Sequence, residues 1–290
     1  MRIDFCGIEL EHPIVNGSGT FDAIAARRAF GEEIVERFPF SAFVSKTITP
    51  EPRAGNPPPR LWEEGAGMIN SIGLPNKGLA GFLEHDLPEL ARLGVPLIVS
   101  VMGVSAEEFT TLIEAVAERD EVSALELNVS CPNVHSGLIV GEQPGETLLL
   151  LKAIRDLTEK PLIVKLTPNV ADPAAVAEAA EAGGADAVSL INTVKAAAFD
   201  RASGERWLGA GAGGLSGPAV RTIALKQVAD VAAAVSIPIV GMGGVESGAD
   251  ALDLLRAGAR LVAVGTASFR DPLAGERIRV ELEALNAPRH

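Results

Sequence analysis

The hydrophobic pattern of this chain changes character near residue 96. Before it, short apolar stretches are separated by irregular polar ones. From Pro96 onward one unit recurs: a short continuous apolar run, a few small or polar residues, then a longer amphipathic stretch. Continuous apolar runs suit strands covered on both faces, and hence a parallel sheet, whereas a half-exposed sheet would alternate. The predicted strands of this kind are Pro13–Gly19, Ala42–Thr47, Pro96–Val101, Ala124–Val129, Pro161–Leu166, Asp186–Asn192, Ile237–Met242 and Leu261–Gly265. The intervening helices are predicted at Ala23–Phe30, Gly78–Leu93, Ala106–Arg119, Glu146–Thr158, Pro173–Ala182, Pro218–Val235 and Gly248–Ala257, with a last one starting near Pro272. Ser105 is the predicted N-cap of its helix, with Glu108 three residues on as its capping-box partner. Eight strand–helix units in 290 residues fit a closed (β/α)8 TIM barrel, read here as a single domain over 1–290. An open doubly wound sheet would carry a glycine-rich nucleotide turn after its first strand, and this chain has none there.

Three segments fall outside the repeat. Ile3, Phe5, Ile8 and Leu10 alternate about Cys6-Gly7 and predict an N-terminal β-hairpin in which Cys6 is packed. After the second strand comes a long excursion rich in proline (Pro50, Pro52, Pro57, Pro58, Pro59) that holds Gly67–Leu74, and its apolar content predicts a folded insertion at the C-terminal face. After the sixth strand comes a glycine-rich stretch. Gly209, Gly211 and Gly214 there spell a G-x-G-x-x-G, but no clear strand precedes it and the helix begins only at Pro218. It is read as a flexible loop and not as a dinucleotide fingerprint.

Composition narrows the function. The net charge of −13 repels phosphate backbones and argues against nucleic acid as a partner. No apolar run approaches the ~20 residues of a membrane span, and the N-terminus lacks the signal-peptide pattern, so a cytoplasmic location is expected. Cys6 and Cys131 are the two cysteines; with no Cys-x-x-Cys and four scattered histidines, no metal site is expected.

In a barrel the site lies at the carboxyl ends of the strands. Those ends read Ser18-Gly19, Lys46-Thr47, Ser100, Asn128, Lys165, Asn192-Thr193, Gly243-Gly244 and Gly265-Thr266. Glycines after the last two strands predict a phosphate pocket of backbone N–H groups beside a helix start. Two lysines ending apolar strands favour an anionic ring system, for which a reduced flavin is one candidate. In Glu126–Asn133 a buried strand opens into a polar loop where Asn128, Cys131 and Asn133 converge, able to hold a flat polar ligand and move one proton. Cys131 reads equally as a small buried hydrophobe, as most free cysteines are; as a base, with a thiol titrating at ~8.5, it would give turnover that falls with acidification.

The motifs N-S-I-G-L (Asn70–Leu74), N-V-S-C-P-N (Asn128–Asn133), K-L-T-P-N-V (Lys165–Val170), G-G-L-S-G-P (Gly213–Pro218), G-M-G-G (Gly241–Gly244) and V-G-T-A (Val264–Ala267), in this order, resemble the dihydroorotate dehydrogenase family. The resemblance runs from Ser18 to Phe269 and is nearest the class 1B, NAD-linked catalytic subunit. It implies an FMN-dependent oxidoreductase, a flavoprotein of pyrimidine biosynthesis, that converts (S)-dihydroorotate to orotate. It implies Cys131 as the base for the C5 proton, with the C6 hydride going to flavin. It implies substrate contacts from Lys46, Asn70, Ser71, Ile72, Gly73, Leu74, Asn128, Asn133, Asn192 and Thr193. FMN contacts are implied for Ser18, Lys46, Thr47, Ser100, Asn128, Lys165, Ile191, Gly217, Gly243, Gly244, Gly265 and Thr266. Ser100 stands where the family usually has Asn, and Pro75 where class 1B often has Gln, which leaves that flavin contact and the subclass open. Class 1B also implies a partner subunit carrying FAD and a [2Fe–2S] cluster, in a heterotetramer around a catalytic homodimer. The rival readings are a fumarate-linked enzyme, a dihydropyrimidine dehydrogenase-like barrel and a tRNA dihydrouridine synthase, the last disfavoured by charge.

Overall fold

A computed structural model describes residues 2–129 and 140–287. Eight strands form one sheet: β1 Ile14–Asn16, β2 Phe43–Val44, β3 Leu97–Val101, β4 Val122–Asn128, β5 Leu162–Lys165, β6 Ala187–Leu190, β7 Ile239–Met242 and β8 Leu261–Val264. Their order is β1-β8-β7-β6-β5-β4-β3-β2, and each pair is parallel. Sequential parallel neighbours wound in one direction make a (β/α)8 barrel, not an open sheet with a reversal point.

The seam between β1 and β2 is closed by a side chain. The Asn16 Oδ1 accepts the Val44 N–H at 2.8 Å, and its Nδ2 donates to the Val44 carbonyl at 2.8 Å. One amide thus supplies both halves of a ladder pair, and Ser41 N–H donates to the Ile14 carbonyl just below at 3.0 Å.

Inside the barrel, Val15, Val44, Ile98, Ala124, Ile163, Ala187, Val240 and Ala263 meet Ile3, Phe5 and Leu10 of the N-terminal hairpin. The hairpin pairs Ile3–Phe5 with Ile8–Leu10 and stoppers the bottom of the barrel, as its alternation required. A larger apolar layer joins the outward faces of the strands to the helices. The helix starts follow their caps: Ser105 Oγ accepts the Glu108 N–H and the Glu108 carboxylate accepts the Val104 N–H, while Asp172 caps Pro173–Ala182.

Four expectations change in detail. β2 is shorter than Ala42–Thr47 because the ladder slips: Ser45 N–H reaches the Ile98 carbonyl, but Ile48 N–H, not Thr47 N–H, reaches that of Ser100. The extra residue makes a bulge that re-aims Lys46 and Thr47. The helix expected over Gly78–Leu93 is four short pieces, with a π-helical turn at Phe82–Asp86, since Pro88 has no N–H to continue the α-helical ladder. The helix expected from Pro218 starts as a 3₁₀ turn, Pro218–Val220, before Arg221–Ala234.

The fourth change concerns the glycine-rich stretch, which is not a flexible loop. It contains strands Val194–Ala196 and Gly213–Ser216, which join Leu61–Glu64 and Gly67–Asn70 of the proline-rich excursion in a four-stranded antiparallel sheet. A Cβ on Gly213 would lie 2.2 Å from the Asn70 carbonyl oxygen, and one on Gly214 1.8 Å from Thr193 Oγ1. Those glycines are there for close packing.

Candidate functional site

A cavity opens at the carboxyl ends of the barrel strands, with the four-stranded sheet as its outer wall. Its glycine end is built by Gly217, Gly243, Gly244, Gly265 and Thr266, all in the cavity wall. Gly243 (φ 128°) and Gly244 (φ 72°) hold conformations that L side chains avoid, and their missing Cβ atoms would lie 2.7 Å from Ala224 Cβ and 2.6 Å from Arg221 Cβ. The chain between β7 and its helix therefore turns with bare backbone toward the cavity, next to the start of the turn and helix at residues 218–234. The Thr266 hydroxyl donates to Ser216 Oγ at 2.9 Å and ties this end to the small sheet.

The middle of the wall comes from Ser18, Lys46, Thr47, Asn128, Lys165 and Ile191. Thr47 is the hub: its Oγ1 lies 2.9 Å from Ser100 Oγ and 3.2 Å from Ser18 Oγ, and accepts from Asn128 Nδ2 at 3.4 Å. Lys46 is exposed, Lys165 buried. Asn70, Ile72, Leu74, Asn192 and Thr193 form the remaining side. The stretch Asn70–Leu74 is held by the proline-rich excursion, with the Asn56 N–H donating to the Ile72 carbonyl at 3.0 Å and Asn56 Nδ2 to Ser71 Oγ at 2.9 Å. Leu74 keeps a left-handed backbone, φ 53°, at the cavity edge.

Three expected contacts stand behind the wall. Ser71 and Gly73 face the Asn56 loop, and Ser100 is fully buried beneath Thr47. The hydroxyl of Ser100 is engaged with Thr47 and Glu126, at 2.9 and 3.1 Å. Cys131 and Asn133 lie outside the described residues. Among the described residues, Gly141 N–H donates to the Val129 carbonyl at 2.8 Å.

Sequence reasoning missed part of the wall: Leu61, Met68, Leu215, Ser216, Glu246 and Phe269. Leu215 and Ser216 lie within a recognised motif and Met68 within the stretch Gly67–Leu74. Leu61, Glu246 and Phe269 come from strands or turns whose position over the mouth has no one-dimensional signature. Glu126, buried under the wall, was visible as a charge two residues before Asn128 and so on the same strand face.

Cys6 is no alternative nucleophile. Burial, with Asp186 and Asp4 nearby, pushes its thiol up to about 12, and its Sγ donates to the Asp186 carbonyl at 3.4 Å on the opposite end of the barrel.

The residues present suit a flat polar ring with an anionic tail: bare glycine backbone at one end, amides and a buried lysine in the middle, and Ile191 and Met242 as an apolar rest. The comparisons with known proteins agree. Residues 1–285 match the family described as dihydroorotate dehydrogenase. The "Dihydroorotate dehydrogenase B (NAD(+)), catalytic subunit" of Geobacter metallireducens is 44% identical over 287 residues, 98% of this chain and 92% of that protein. The proteins of the same name from Bacillus pumilus and Desulforudis audaxviator are each 43% identical, over 97% of this chain and 90% and 91% of their own lengths.

Proposed function

The chain belongs to the dihydroorotate dehydrogenase family, and from that membership we propose that it oxidises (S)-dihydroorotate to orotate in de novo pyrimidine (UMP) biosynthesis, as one FMN-binding catalytic domain. The reaction removes a proton from C5 and a hydride from C6 and leaves a ring double bond. FMN, when bound, supplies the acceptor for the hydride. The observation that carries the reading is the union in one cavity of the Gly243-Gly244 and Gly265-Thr266 backbone with Lys165, Asn128 and Asn192.

Each residue has a definable task. The glycine backbone and the helix start would hold the phosphate of FMN. Lys165 and Asn128 would hold the polar part of its ring, with Ser18, Thr47, Ile191 and Gly217 as further contacts. Lys46 opposes the substrate carboxylate, so a protein of net charge −13 still accepts an anion. Asn70, Asn128, Asn133, Asn192 and Thr193 hydrogen-bond the pyrimidine. Cys131 takes the C5 proton, for which a thiolate is needed.

Electrons leave through a partner. The relatives are named catalytic subunits of an NAD(+)-linked enzyme. This chain has two cysteines, too few to supply the four thiolates that an iron–sulfur cluster of its own would need. We place FAD and the [2Fe–2S] cluster on a second subunit, in a heterotetramer built on a catalytic dimer in the cytoplasm. No helix among the described residues is long and apolar enough to cross a membrane.

The test is a visible spectrum of the purified chain before and after anaerobic addition of dihydroorotate. Bleaching of a bound flavin by dihydroorotate but not by dihydrouracil is expected, with reduction of dyes and not of NAD by the isolated chain. Cys131→Ala is expected to keep FMN and lose bleaching by at least a hundredfold. Bleaching at the parent rate in that variant removes Cys131 from the reaction.

A further inference from the structure

Beneath the cavity lies a polar layer with no obvious structural need. On β3 to β6 the inward positions begin with Ile98, Ala124, Ile163 and Ala187, all in the apolar interior. Two residues further along each strand, on the same face, come Ser100, Glu126, Lys165 and Ser189. All four are buried, and Glu126 is 3% exposed. Its carboxylate accepts from Ser100 Oγ at 3.1 Å and from Ser189 Oγ at 3.0 Å. Lys165 Nζ lies 4.0 Å from Glu126 Oε1.

A barrel of this kind fills the corresponding layer with branched apolar side chains, and burying an ion pair in their place strips water from both ions before attraction is counted. The arrangement is also one-sided. At 4.0 Å the carboxylate attracts the ammonium without taking a hydrogen bond from it, and Lys165 lines the cavity. An ionised carboxylate can only accept. It therefore sets the Ser100 proton toward itself, leaves Ser100 to accept from Thr47, and leaves Thr47 to accept from Asn128 Nδ2.

We propose that Glu126 is a positioning residue for the flavin-facing groups: the buried counter-charge that holds the Lys165 side chain in place and orients Asn128 through Ser100 and Thr47. This rests on the reading of the cavity as a flavin site, but its first test does not. In the apoprotein, labelling of Lys165 by trinitrobenzenesulfonate, followed by mass spectrometry, reads how firmly its side chain is held. Glu126→Gln is expected to raise the Lys165 labelling rate at least tenfold relative to Lys226, an exposed control. An unchanged ratio overturns the proposal.

The second test is a double-mutant cycle on the midpoint potential of bound FMN. E126Q is expected to change the oxidised-to-reduced ratio at least tenfold, ~30 mV for a two-electron couple, and less than threefold in the Lys165→Met background. Equal shifts in both backgrounds would make Glu126 a packing residue that does not act through Lys165. If E126Q does not fold, Glu126→Asp, which keeps the charge and withdraws it, is read by the same labelling and the same cycle against the same criteria. A parent chain that takes up no flavin sinks the proposed function, while the labelling result stands on its own.

Discussion

Replacing Asn16 with leucine is expected to open the seam of the barrel. Asn16 is fully buried. Its amide makes three hydrogen bonds: two with Val44 at 2.8 Å and one to the Gly17 carbonyl at 3.1 Å. Leucine has the same branched skeleton and is somewhat larger, so none of the loss comes from a cavity. What is lost is the pairing of the Val44 N–H and carbonyl, both in a strand covered on its two faces. Each of the two orphaned groups costs about 1–3 kcal/mol, and the better burial of leucine offsets about 1, for a net loss of about 1–5 kcal/mol. Against a typical total of about 5–15 kcal/mol that is a large share. Aspartate at the same position keeps an acceptor for the N–H but sets an oxygen against the Val44 carbonyl, so it is expected to do no better. The assay is urea unfolding of the apoprotein by circular dichroism, read as a fall in midpoint at constant slope. FMN affinity is expected to fall in parallel, because β1 and β2 lead directly into Ser18, Lys46 and Thr47. If Asn16→Leu unfolds within ~0.5 kcal/mol of the parent, below the usual effect of a disrupted buried polar network, the side-chain seam is not what closes the barrel.

Gly244→Ala is expected to weaken FMN binding at least tenfold in a fluorescence titration, because its φ of 72° disfavours alanine and the added Cβ would press on Arg221 Cβ at 2.6 Å; an unchanged Kd would dissociate this turn from the phosphate. Burial, with Arg279 adding to it and Glu283 opposing, lowers His12 from 6.5 to about 4. The unfolded chain then binds a proton as pH falls through 6.5 while the folded one waits until about 4. Stability is thus complete above 6.5 and lost between 6.5 and about 4, by about 2 kcal/mol after allowance for solvent screening. Urea midpoints at pH 7 and pH 5 should differ, and His12→Gln should flatten the difference; equal slopes in both proteins would refute it.

Much of the frame could be read from pattern alone. Helix Ala23–Phe30 and helix Pro173–Ala182 have the boundaries their caps and apolar spacing predict. The eight barrel strands stand where continuous apolar runs stand. Most of the residues named for the site line one cavity because they follow strand ends, and a barrel collects all its strand ends on one face. The readings that shifted share a cause. Gly213 and Gly214 look like loop glycines until Asn70 and Thr193 are seen against them. Ser100 sits at a strand end like its neighbours, but the bulge after Val44 carries Thr47 over it and takes it out of the wall.

Local sequence, then, decided which segments are the barrel strands and most of the helices, which faces are apolar, and which polar residues end each barrel strand, since these follow from a periodicity of two or 3.6 and from capping chemistry within a few residues. Tertiary structure decided what no neighbour in the chain can dictate. It made the Asn16 amide the closing pair of the barrel, and it folded two distant insertions into the outer wall of one cavity. It also placed the Glu126 carboxylate under Lys165 on the next strand. Those outcomes depend on register between segments far apart in sequence, and register is settled only when the whole sheet closes.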